Sequence, residues 1–262
     1  MTTAMQTPAM KTANRVPMSS ARKTALVAGI FYLITFISFP TLALYGPVKN
    51  DRDWILGSGS HTDVLVGGFL EVIMALACIG TAVTLYPVVK RHNEGAALGF
   101  VAARVLEAGL IFTGVISLLS LVTLRQGLGG AAGANAAALV TIGASHVAIY
   151  NWTFLLSQSL MPGINALLLG SLLYRSRLVP RVIPVLGLIG GPLLICTVIA
   201  TLFGGFKLGS PEIAALPVAA WELSLGLWLV VKGFRPCPIT AEMTAAEMAV
   251  AGAPLACQDV AV

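Results

Sequence analysis

The sequence predicts an all-α polytopic bundle of about six membrane-spanning helices, with the N-terminus and the C-terminus both cytoplasmic. Three observations carry that expectation. The composition is 57% hydrophobic and 10% charged across 262 residues, with a mean hydropathy of +0.88. Soluble domains carry roughly 25% charged residues, so this chain has too few charges to coat a water-facing surface. The apolar residues are gathered into six stretches, each of about the 20 residues that a helix needs to cross a bilayer core. The lysines and arginines alternate from one side of those stretches to the other.

The first 20 residues are rich in Thr, Met and Ala, show no sustained apolar face and are expected to form a flexible tail. A transmembrane domain is expected over 21–234. Its first span runs from about Thr24 to Tyr45. Arg22 and Lys23 precede it, but the run is too long for a signal peptide's h-region of roughly 7 to 15 residues, so it is a retained anchor. The second span runs from Val64 to Val89, the third from Ala97 to Leu124 and the fourth from Val147 to Tyr174. The fifth covers Val182 to Phe206 and the sixth Ile213 to Lys232. The alternating segments of about ten residues that a β-barrel would need are absent.

Orientation follows from the basic residues, because cytoplasmic loops carry the excess. One side collects Lys11, Arg15, Arg22, Lys23, Lys90, Arg91, Arg175, Arg177, Arg181, Lys232 and Arg235. The other has Lys49, Arg52, Arg125 and Lys207. Eleven against four puts both ends in the cytoplasm. The net charge of +5 is then a property of loops beside an anionic leaflet and does not call for a nucleic-acid partner.

The connection from Arg125 to His146 is the longest, and its Gly127, Gly129, Gly130 and Gly133 among alanines predict a flexible or partly re-entrant loop. It follows an apolar helix and not a strand, so it is no phosphate cradle. His61, Asp63 and His146 lie at the outer face and would make a metal site only if their loops converged; no metal is assigned. Cys78, Cys196, Cys237 and Cys257 have no zinc-ligand spacing and are read as ordinary thiols. After Phe234 the chain is expected to be a cytoplasmic tail over 235–262, either disordered or with a brief helix for which Thr244 and Glu247 have capping-box spacing. No cofactor motif and no hydrolase, protease or other catalytic motif is found.

Four ionisable residues stand inside the spans: Glu71, Arg104, Glu107 and Glu222. Each costs roughly 2.5 to 3.5 kcal/mol at a helix centre, so together they would oppose insertion by about 10 kcal/mol if left alone in lipid. Arg104 and Glu107 are three apart on one face of span three and can pair. Glu107 and Glu222 reach the same depth near the midplane, while Glu71 lies nearer the outer face. In span four, Asn151, Gln158 and Asn165 recur every seven residues and are expected to form one polar stripe. Pro162 and Gly163 interrupt that helix, and Gly190, Gly191 and Pro192 are expected to kink span five. Tyr150 and Trp152 have the placement of interface anchors. The seven polar residues make a candidate intramembrane site for a small solute or a proton; the alternative is a scaffold or sensor in which the buried charges only set packing.

The opening segment Ala21 to Ile37 (ARKTALVAGIFYLITFI) and the Arg104/Glu107 stretch of span three resemble the bacterial multi-pass membrane proteins known as domain of unknown function 4386. The resemblance extends over about Ala21 to Phe234. It implies a protein of the bacterial inner (plasma) membrane with about six or seven helices, in contact with the lipid bilayer. It brings no assigned activity, so no residue roles carry over from it.

Overall fold

The computed structural model describes residues 18–57, 60–128, 132–208 and 213–252, and among these every regular element is helical. The expected N-terminal tail up to residue 17, Gly129, Gly130 and Cys257 lie outside the described residues.

Ser19 caps the first helix, α1 (Ser20–Thr35), by accepting the Arg22 N–H. A 3₁₀ turn continues it to Ser38, where it stops short of the expected Tyr45. Pro40 has no N–H to extend the ladder, and the hydroxyls of Thr35, Ser38 and Thr41 each donate to a carbonyl three residues back. The chain then turns through two short helices, α2 (Thr41–Leu44) and α3 (Gly46–Asn50), and a 3₁₀ turn, Arg52–Leu56.

Two long helices follow, α4 (Thr62–Val89) and α5 (Glu94–Leu128), joined by a turn in which Asn93 Oδ1 accepts the Ala96 N–H. The next span is one helical path of three parts: α6 (Ala134–Leu155), a π-helical turn (Leu156–Leu160) and α7 (Met161–Ser176). The expected loop before His146 is therefore mostly helix. Alanine is the strongest helix former, and the alanines of this stretch extend α6 upstream to Ala134, while Gly127 falls within α5. At 1.5 Å per residue, Asn135–Ser176 would extend about 63 Å. That is twice the thickness of a bilayer core of roughly 30 Å.

The last spans are α8 (Val182–Leu202), which carries Pro192 without a break, and α9 (Leu216–Val231). A final helix, α10 (Pro238–Gly252), takes the tail's described part, and the Cys237 N–H donates to Thr240 Oγ1 at its start. Thr244 sits inside this helix and donates to Thr240 O, while Glu247 accepts the N–H of Ser20 at the start of α1. The expected capping box is thus spent on other partners.

Six helices are long and apolar enough to cross a membrane. Each packs on the next in sequence order, and α9 returns to pack on α1, so the bundle is a closed ring. Its outer surface is apolar: Phe69, Val83, Ile116 and Ile189 are each at least 60% exposed. Small residues let the backbones meet inside. A Cβ on Gly29 would lie 2.8 Å from the Gly226 carbonyl oxygen, and one on Gly191 would lie 2.8 Å from that of Gly163. Gly109 on α5, by contrast, has nothing within 4 Å of its Cβ position.

Candidate functional site

The site is built around Arg104, fully buried on the inner face of α5. One turn on, Glu107 accepts from Arg104 Nη1 at 3.1 and 3.3 Å, the pair that their spacing predicts. Glu222, carried across by α9, accepts from Nη2 at 2.6 Å. The phenol of Tyr32 on α1 also faces Nη2 at 3.3 Å, and the guanidinium lies 5.3 Å from the centre of the Tyr32 ring. Asn165 on α7 donates to Glu107 at 2.7 Å. Cys78 on α4 bridges Arg104 Nη1, at 3.6 Å, and Glu107, at 3.7 Å. One guanidinium therefore gathers groups from five of the six spans.

Side-chain exposure is 1% for Arg104, 4% for Glu107 and 13% for Glu222, so Glu222 is the most accessible charge. Two polar atoms of the cluster, Arg104 Nε and Asn165 Oδ1, are buried without a protein partner. In formal charge the cluster holds one cation and two carboxylates. Groups this deeply desolvated favour overall neutrality, which the arginine alone does not supply.

Glu71 does not join this cluster. Its carboxylate, 1% exposed, accepts from Tyr150 at 2.9 Å, Gln158 at 3.2 Å and Tyr45 at 3.3 Å. The rings of Tyr45 and Tyr150 meet edge to face with centroids 5.2 Å apart. The ammonium of Lys49, on α3, lies 5.4 Å from the Tyr150 ring centre and 5.8 Å from that of Phe154. Burial holds the Lys49 ammonium below its ordinary lysine range, and the nearby Glu71 carboxylate opposes that effect.

The three amides of span four consequently serve three places. Gln158 reaches Glu71, Asn165 reaches Glu107, and Asn151 lines a separate cleft with Lys49 and Trp54. A π-helical turn, Leu156–Leu160, interrupts the helix between Asn151 and Asn165 and contains Gln158. Pro162 accounts for its position: a proline withholds its own N–H from the carbonyl four residues earlier, so the helical pattern breaks in the turn before it.

At the outer layer, His146 faces Ser117 at 3.0 Å and His61 faces Gln126 at 2.8 Å, so the two histidines are engaged separately. No group of three or more His, Cys, Asp or Glu side chains converges among the described residues. Tyr150 is buried and bonded to Glu71, whereas Trp152, two residues on, is 41% exposed as an interface residue would be. Tyr32, Cys78, Tyr45 and Lys49 are the members of these two centres that sequence reasoning missed. Their one legible signal was depth: Tyr32 and Cys78 fall at the level of Arg104, but a tyrosine or a cysteine in an apolar span has no cost that singles it out.

The family model described as Domain of unknown function (DUF4386) matches residues 27–233. No curated protein and no solved structure matches the chain.

Proposed function

The chain belongs to the family described as domain of unknown function DUF4386, and from that premise we propose that it is a bacterial inner-membrane protein that binds or moves a proton or a small solute at the Arg104 centre. The observation that carries this is the excess carboxylate: Glu107 and Glu222 share one guanidinium whose side chain is 1% exposed. A single proton neutralises the cluster. One of the two glutamates exchanges it: Glu107 meets Arg104 Nη1 through both carboxylate oxygens and Glu222 meets Nη2 through one. Once one carboxyl is neutral, the edge of the Arg104 guanidinium that it held can take an anionic group of a solute, while the other carboxylate keeps its own edge. Proton and anion would in this way bind together.

Reconstituted vesicles with an internal pH dye test the proposal. Glu107→Gln and Glu222→Gln should each lower proton flux at least tenfold, while wild-type rates in both variants would overturn it.

A second reading is supported by the completeness of the pairing. All three charges are bonded within the bundle, so the cluster can act as a structural knot in a scaffold or sensor. Removing one partner of a buried pair costs about 3 to 5 kcal/mol, and in this reading exchanging the charges of Arg104 and Glu107 restores stability. Deleting the tail after Phe234 would then abolish capture of a partner protein. In the isolated chain α10 makes internal contacts, including Arg91 to Glu242 at 3.7 Å.

A further inference from the structure

The second polar centre combines a buried carboxylate, two aromatic faces and a lysine that it shares with a neighbouring cleft. The cleft, of about 190 Å³, lies between α3, the 3₁₀ turn that follows it and α6. Trp54 and Leu121 are in its apolar wall, and Lys49, Asp51, Arg52 and Asn151 supply polar groups. Lys49 belongs to both places, since it lines the cleft and sets its ammonium against the rings of Tyr150 and Phe154. Neither Lys49 nor Glu71 takes part in a salt bridge among the described residues.

The chemistry behind the ammonium is what attracts cations. A cation over an aromatic face is held by the ring's quadrupole, and the gain grows when the site is desolvated. The Tyr150 hydroxyl donates to Glu71 at 2.9 Å, and donation to a carboxylate pushes electron density into the ring and makes its face more negative. Tyr45 packs edge-on against Tyr150 and donates to the same carboxylate, which locks the ring in place. Lys49 is the side chain this arrangement can best afford to release: its stem is long and flexible, and its ammonium is a compact, strongly hydrated charge.

We infer that the Tyr150–Phe154 face, backed by Glu71 and lying beside the Lys49 cleft, is a binding site for a small organic ammonium ion, with the Lys49 ammonium as its tethered occupant. The ligand exchanges one positive charge for another, so the charge beside Glu71 is conserved when Lys49 swings into the cleft mouth. A group on a short tether competes at an effective concentration on the order of millimolar, which sets how far removal of Lys49 should improve binding. This site shares no residue with the Arg104 centre, and its test is independent of proton flux.

The experiment is a titration of the full-length protein in nanodiscs with tetramethylammonium chloride, against sodium chloride at matched ionic strength. It is followed by calorimetry and by tryptophan fluorescence, since Trp54 forms part of the cleft. Lys49→Gln should bind tetramethylammonium at least tenfold more tightly than the wild type. Tyr150→Phe in that background keeps the ring but loses the bond to Glu71, and should give back part of the gain; Tyr150→Leu should remove it. Lys49 is half-buried at the bundle's end, and circular dichroism of each variant checks that the fold is retained. Equal affinities in wild type and Lys49→Gln, or undetectable binding in both, would overturn the inference. So would tighter binding of inorganic phosphate than of tetramethylammonium, with phosphate binding lost in Lys49→Gln, because the cleft would then be an anion site built on Lys49 and Arg52.

Discussion

Individual residues in this bundle are constrained most where a side chain is absent. Gly67 on α4 lies under the Tyr45 ring, and a Cβ there would run into ring atoms of a tyrosine that is only 1% exposed. Overpacking a well-filled site costs about 1 to 3 kcal/mol. Gly67→Ala should therefore lower the thermal midpoint in detergent and loosen the Glu71 centre through Tyr45. Gly109→Ala, which adds its methyl to open space on the outside of α5, should be neutral or stabilising by up to about 1 kcal/mol. The same melting experiment checks both, and a reversed order would contradict the packing described. The sequence showed Gly67 and Gly109 as equivalent small residues in apolar spans. What separates them is which neighbour stands opposite, and that is decided by contacts distant in the chain.

At the scale of whole elements, helix ends are held by residues far away in sequence. The last carbonyls of any helix lack partners within it. Those of α9 are taken by Arg22 of α1, whose Nη1 donates to Leu229 O at 2.8 Å and whose Nη2 donates to Val230 O at 2.5 Å. A hydrogen bond to a charged group contributes about 1.5 to 3 kcal/mol. Arg22→Ala should accordingly speed amide exchange over residues 228–232 and destabilise the fold by an amount in that range, with Arg22→Lys intermediate. Arg22 was legible only as one of eleven positive charges on one side. The spans were legible in number and order because transfer of about 20 apolar residues into lipid is decided locally. Their ends were less so. Pro40 and its hydroxyl neighbours end α1 early, alanines lengthen α6, and a π-helical turn interrupts the helix between Asn151 and Asn165. Each is a local backbone event that average hydropathy does not register.

For the molecule as a whole, the distribution of charge makes a topological prediction. Lys90, Arg91, Arg175, Arg177 and Arg181 lie at the same end of the ring as α10, and Lys49, Arg52 and Arg125 lie at the other. The positive-inside rule places the first group in the cytoplasm. In a background lacking Cys196, Cys237 and Cys257, Asp51→Cys should react with a membrane-impermeant maleimide in intact cells. Lys90→Cys should react only after permeabilisation; the opposite pattern would invert the topology. The charged cluster was half legible at this scale. The cost of Arg104, Glu107 and Glu222 in lipid showed that they must meet, whereas Glu71 carried the same cost and found a different solution, three uncharged donors supplied by Tyr45, Tyr150 and Gln158.

The closure of the ring also has a meaning in time. A membrane chain is made and inserted from its N-terminus onward, yet one side of α1 is completed only by α9, through the Gly29 and Gly226 contact and the Arg22 bonds. Arg104 likewise waits for Glu222, which enters 118 residues after it. Of these helices, α1 comes first in chain order yet is among the last to be fully seated, and a chain that ends before α9 carries an open seam and a short-handed arginine.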